Sequence, residues 1–134
     1  MSQTVTVFHN PKCGTSRNAV ELVRQAGYAV EAVEYLKAGW TEAQLTDLFA
    51  RAGLTPRQAM RVKGTPAEEL GLTDPSVTDA AILKAMVAHP ILVERPFVAG
   101  PRGVVLARPS EKAADALDRR PASFTKEDGT VVTL

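Results

Sequence analysis

The residue with the most chemistry in this sequence is its lone cysteine, Cys13, in the run His9-Asn10-Pro11-Lys12-Cys13-Gly14-Thr15-Ser16-Arg17-Asn18. The run joins a β-branched, alternating strand pattern, Thr4-Val5-Thr6-Val7-Phe8, to a helical pattern from about Ser16 to Ala26. A thiol at a helix start meets free N–H groups and the positive end of the helix dipole, and both favour the thiolate. Gly14 lets the backbone approach a bound group closely. Thr15, Ser16 and Arg17 add donors, so residues 13–17 read as an oxyanion cradle with a nucleophile at its lip. The plainer alternative is an inert, half-buried cysteine, but neighbours such as Pro11, Lys12 and Gly14 suit core packing poorly.

Position 16 carries a second message. A dithiol oxidoreductase has Cys-x-x-Cys, and here Ser16 stands at the second position. Once oxidised, Cys13 needs an external thiol to restore it. His9, at the strand end, reads either as an imidazolium that helps hold the thiolate or as a surface histidine. Asn10 suits side-chain-to-backbone bonding within the loop. Lys12 reads as a solvent-facing charge.

Guanidinium forks suit tetrahedral oxyanions such as phosphate, sulfate or arsenate. Arg61, Arg95 and Arg108 fall in three separate segments, and the last two precede Pro96 and Pro109, which restricts them to extended geometry. Pattern alone does not select these three. Arg57 fits equally well on spacing, and Arg17 fits better because it is local.

The elements that must position these groups follow in order. Val30–Tyr35 reads as a second strand, so the first 35 residues form a βαβ unit with a parallel strand pair. The middle is helical. Thr41 with Gln44 suggests a capping box, Leu45, Leu48, Phe49 and Ala52 recur at helical spacing, and Gly53 stops the helix. Thr55-Pro56 and Thr65-Pro66 each open a short helix, and Thr78 opens a longer one ended by Pro90. Phe97–Ala99 and Val104–Leu106 then flank Gly100-Pro101-Arg102-Gly103, a hairpin signal. Ser110 reads as the N-cap of a last helix through about Leu117, and a polar tail from Pro121 lies on the surface. The fold class is therefore α/β: a thioredoxin-like core (βαβ then ββα, mixed sheet) with a helical insert. One domain is expected over 1–134, with the insert at about 41–89. In such a sheet a cis-proline loop faces the reactive turn, and Pro96 is its candidate.

Bulk properties narrow the function classes. The chain has 134 residues, with 45% hydrophobic and 23% charged, which suits one soluble globular domain. Sixteen basic and fifteen acidic side chains nearly cancel, which argues against nucleic acid or a membrane surface as a bulk partner. No stretch approaches the roughly 18 apolar residues of a membrane span. The start at Met1 lacks the pattern of a signal peptide. One cysteine cannot form an internal disulfide, so a reducing, cytoplasmic setting is expected.

The His9–Asn18 run resembles the active-site signature of the glutaredoxin-coupled arsenate reductases of the ArsC family. Further matching segments follow in order: Tyr35-Leu36, Leu70-Gly71-Leu72, His89-Pro90-Ile91-Leu92, Arg95-Pro96, Arg108-Pro109-Ser110-Glu111 and Phe124-Thr125-Lys126-Glu127-Asp128-Gly129. The resemblance implies a thioredoxin-like fold with a helical insert, and an enzyme that reduces arsenate to arsenite. It implies Cys13 as the nucleophile that forms a thiol–arsenate adduct, His9 as the histidine that lowers the thiol pKa, and Ser16 as a loop residue bonding near the thiolate. It implies that Arg61, Arg95 and Arg108 hold the oxyanion. Gly14, Thr15 and Arg17 join them as substrate-binding residues from the local reading of the loop. Glutathione would be the co-substrate and glutaredoxin the partner that reduces the Cys13–glutathione mixed disulfide. No metal and no bound cofactor are expected, and a monomer is the default. Two other functions are compatible with a thiol on this fold. One is a glutathione-dependent reductase of another substrate. The other is a redox-sensing, transcription-regulator-like module, against which Ser16 counts because such a sensor would prefer Cys-x-x-Cys.

Overall fold

The computed structural model describes residues 3–134, so the reading made at Met1 lies outside the described residues. Strand β1 (Thr4–His9) leads through a short loop into helix α1 (Gly14–Gln25) and strand β2 (Ala29–Glu34). β1 and β2 pair in parallel, Thr4 beside Ala29 through His9 beside Glu34. Alternation in β1 puts Val5 and Val7 inside, and the face of α1 that meets them carries Ala19, Leu22 and Val23, all out of water. Tyr35, expected as the end of the second strand, instead begins the next helix.

After the insert, β3 (Phe97–Gly100) and β4 (Gly103–Leu106) form the expected hairpin, with Gly100 paired to Gly103. β3 pairs antiparallel with β1, which gives a four-stranded mixed sheet of order β2-β1-β3-β4. This is the thioredoxin-like core that the sequence leads one to expect. Its packed interior gathers Val5, Leu22, Val23, Val98, Ala113 and Phe124.

Two expectations for the C-terminal part are corrected. The last helix is not an α-helix but a 3-10 run, Ser110–Ala116, and its N-cap is Pro109 rather than Ser110. The Ser110 hydroxyl is buried, with no hydrogen-bond partner among the described residues. The last turn is drawn tight against the hairpin: the Ala116 carbonyl accepts from the Arg102 N–H at 3.0 Å. A Cβ on Gly100 would collide with that same oxygen, so the glycine permits the approach. The tail is also more than a surface strap. β5 (Ser123–Thr125) and β6 (Val131–Thr133) form a second, two-stranded sheet. Phe124 is 1% exposed and completes the core, a burial that one aromatic in a polar stretch does not announce.

These strands and α1 form one compact unit, the residues up to Glu34 with Arg95–Leu134; Tyr35–Glu94 form another. The second unit is the helical insert. It holds α2 (Tyr35–Ala38), α3 (Glu42–Ala52), α4 (Asp79–Ala88) and a 3-10 turn, Pro90–Leu92. Thr41 caps α3 by accepting from the Gln44 N–H, Gly53 ends it in the left-handed region, and Thr78 caps α4. The interior includes Leu45, Phe49, Ile82, Met86 and Leu92, with Tyr35 and Trp40 stacked at 5.3 Å between centroids. The short helices expected at Thr55 and Thr65 are single turns, closed by bonds from Ala59 N–H to Thr55 and from Leu70 N–H to Pro66. Each is too short to propagate, and the first runs straight into a backbone bridge between Met60 and Val93. No helix among the described residues is long and apolar enough to cross a membrane.

If the tail belongs to the core, Phe124→Ala should cost about 3–5 kcal/mol in urea unfolding. A loss below about 1 kcal/mol would show that the β5–β6 sheet is an appendage.

Candidate active site

The sheet register brings the reactive turn and two of the arginines to one place. Phe97 pairs with Leu106 on one side and with Phe8 on the other. Carried two residues further, the same register sets Arg95 opposite Arg108 and beside Asn10. The Arg95–Pro96 and Arg108–Pro109 bonds are both cis. The Arg108 guanidinium ties the two segments together: its Nη1 donates to the Arg95 carbonyl at 2.9 Å. The same nitrogen lies 4.0 Å from the Cys13 sulfur.

The loop between β1 and α1 is held by its own residues. Asn10 is buried, and its side-chain oxygen accepts from the Lys12 N–H at 3.0 Å, the bonding expected of it. The Asn10 carbonyl accepts from the Cys13 N–H at 2.9 Å. Ser16 is fully buried, and its hydroxyl accepts from the Asn10 N–H at 3.4 Å. Cys13 itself is the N-cap of α1, in extended backbone geometry, so its side chain stands over the free N–H groups of the first turn.

Burial and three donors decide the charge of the sulfur. Partial burial pushes the Cys13 thiol up. The Ser16 backbone N–H, the Arg95 guanidinium and the Ser16 hydroxyl outweigh it and bring the thiol from an ordinary 9.0 down to about 7. At neutral pH a large share of Cys13 is therefore thiolate, and a nucleophile is in place beside two guanidinium groups.

Known proteins resemble this chain along nearly its whole length. The ArsC family model matches residues 8–116. An arsenate reductase of Synechocystis sp. is 54% identical over 129 residues, 96% of this chain and 92% of that protein. An arsenate reductase of Rhizobium meliloti is 54% identical over 130 residues, 96% of this chain and 93% of that protein. The chain belongs to the ArsC family. A solved structure of an arsenate reductase from Vibrio cholerae agrees at a TM-score of 0.82 and 34% identity, over 87% of this chain and all of that one.

The remaining candidate residues of this ArsC-family chain fall into place differently from one another. His9 is not the expected imidazolium. Burial pushes it below its ordinary 6.5, more than the neighbouring Glu34 raises it, and Arg17 lowers it further. It is therefore neutral near pH 7, and the charge that holds the thiolate comes from Arg95. Arg17, expected as an oxyanion donor, spends its guanidinium elsewhere: Nε and Nη2 grip Glu127 at 3.0 and 2.7 Å, and Nη1 donates to the Pro11 carbonyl at 2.8 Å. Gly14 and Thr15 head α1 directly after Cys13, so the helix begins two residues before the expected Ser16. Arg61 belongs to the helical unit. There it pairs with Glu94 at 2.9 Å and donates from Nε to the Lys63 carbonyl at 3.1 Å. Arg57 serves as a staple inside the same unit, donating to the carbonyls of Leu72, Asp74 and Val77. Glu127 is the residue that the sequence did not single out. Its partner Arg17 lies 110 positions away, and no spacing rule links them.

A direct check is the pH dependence of iodoacetamide alkylation at Cys13, followed by intact mass. Reactivity should rise with pH and reach half its maximum near 7, because the thiolate is the reacting form. Arg95→Gln should move that midpoint up to about pH 8. An unchanged midpoint in the variant would remove Arg95 from the thiolate's support.

Proposed function

We propose that this chain reduces arsenate to arsenite with electrons from glutathione, and that glutaredoxin regenerates the enzyme. The observation that carries the proposal is the half-buried Cys13 sulfur at the head of α1, brought down to about 7 by Ser16 and Arg95, with Arg108 at 4.0 Å. The high identity to arsenate reductases over 96% of the chain supports arsenate as the oxyanion.

The steps follow from these groups. The oxyanion sits in the fork of Arg95 and Arg108, with the N–H groups of Gly14 and Thr15 completing the cradle. The Cys13 thiolate attacks arsenic. A sulfur–arsenic bond forms and one oxygen leaves as water after taking up protons. The guanidinium groups offset the charge on the remaining oxygens. Glutathione thiolate then attacks the Cys13 sulfur. The sulfur–arsenic bond breaks, its electron pair reduces arsenic from the pentavalent to the trivalent state, and arsenite departs. Cys13 is left as a mixed disulfide with glutathione. Ser16 supplies no second thiol, so glutaredoxin takes the glutathione by thiol–disulfide exchange and returns Cys13 to thiolate. His9 enters as a neutral neighbour of the loop, and Arg17 as a brace. The enzyme works as a monomer in a reducing, cytoplasmic setting, where its one thiol stays free.

Purified protein with arsenate, glutathione, glutaredoxin, glutathione reductase and NADPH should consume NADPH only when arsenate is present. Replacing glutaredoxin with thioredoxin and its reductase should not support turnover. Cys13→Ser should abolish the activity, since a hydroxyl is a far weaker nucleophile at neutral pH. Arg95→Lys should turn over more weakly than the parent, because it keeps the charge but loses the fork. Arsenate-independent consumption, or turnover surviving Cys13→Ser, would sink the proposal.

A further inference from the structure

The turn between β5 and β6 reaches the reactive loop. It is a braced turn: the Lys126 N–H donates to the Thr130 carbonyl at 2.8 Å, the Gly129 N–H to the Lys126 carbonyl at 2.9 Å, and the Thr130 N–H to the Asp128 side chain at 2.9 Å. Lys126 is further held by Glu111, at 2.9 Å, from the 3-10 run. From this turn the Glu127 N–H donates to the Asn18 side chain at 2.9 Å, and the Glu127 carboxylate takes one whole edge of the Arg17 guanidinium. Arg17 in turn holds the Pro11 carbonyl at 2.8 Å. A Cβ on Gly14 would lie 3.1 Å from the Glu127 oxygen, so the carboxylate rests directly over the residue that follows Cys13. One ion pair therefore touches the reactive loop on both sides of the cysteine.

This pair is half-exposed on both side chains, and such pairs add little to stability. Its two-point geometry does fix the direction of the guanidinium. The Cys13 thiolate is also among the groups that push Arg17 up, after Glu127 itself, so the guanidinium and the sulfur feel each other. The charged groups around them are Lys12 next to Cys13 in the loop, Arg95 before β3 and Arg108 after β4. Lys126, Glu127 and Asp128 lie on the turn, Glu111 on the 3-10 run, and His9 with Glu34 at the ends of β1 and β2.

We propose that Glu127 is a positioning residue for the Cys13 reaction: by gripping Arg17 it holds the reactive loop and sets how much of the Arg17 charge reaches the sulfur. The inference rests on reading Cys13 as the nucleophile, but its test needs no turnover.

The test is the pH profile of iodoacetamide alkylation for the parent chain, Glu127→Gln and Arg17→Met. Glu127→Gln keeps the shape and leaves the Arg17 charge uncancelled, so its midpoint should fall by about half a pH unit. Arg17→Met leaves the Glu127 charge uncancelled, so its midpoint should rise by about as much. Opposite directions are the signature. A merely structural pair would loosen the loop in both variants and move both midpoints the same way. That result, or no movement in Glu127→Gln, overturns the proposal. A parent midpoint at the ordinary thiol value would overturn the reading of Cys13 itself, a different failure visible in the same data.

Discussion

Burial alone would keep the Cys13 sulfur protonated. What reverses this is a short set of donors fixed before any substrate arrives: the Ser16 N–H, the Ser16 hydroxyl and the Arg95 guanidinium. The cost of taking a sulfur partly out of water is offset by groups that bond only to its charged form. Most of the core can be understood as the frame that keeps these donors on the sulfur. Ser16 is fully buried and tied back to Asn10, and Asn10 bonds across the loop to Lys12 and Cys13. The loop is thus closed on itself at the point where α1 begins.

The sheet supplies the other half of the constraint. Arg95 and Arg108 sit just outside a paired hairpin, in matched register, at the end of the sheet where β1 delivers Asn10. The bond from Arg108 to the Arg95 carbonyl makes the two positions interdependent. The tail adds a third layer, since Phe124 anchors β5 in the core and the next turn carries Glu127 to Arg17. Chain segments far apart in sequence therefore meet around one sulfur atom, each placed by strand pairing or core burial.

Much of this was legible in the residues. Thr4–Phe8 alternates and is β-branched, the hairpin has its turn residues, and α3 and α4 carry Thr caps, so local chemistry and tertiary structure agree there. The reactive loop was legible for the same reason: a cysteine before a helix with Ser16 three positions on states its chemistry locally. What stayed hidden depends on contacts across the chain. The alanine-rich run 110–116 has helical composition, but its last carbonyl is claimed by Arg102. His9 has the ordinary affinity for a proton until the fold removes water from it. Arg17 and Arg57 look as free as any arginine until Glu127 and three carbonyls take them.

The central claim is that the Cys13 sulfur is what meets the oxyanion and then passes to glutathione. Intact mass spectrometry of the chain with arsenate and glutathione, without glutaredoxin, tests it most directly. The account predicts one glutathione per chain, mapped to Cys13, accumulating only when arsenate is present. Cys13 left free and alkylatable after that treatment, or glutathione added equally without arsenate, would contradict it.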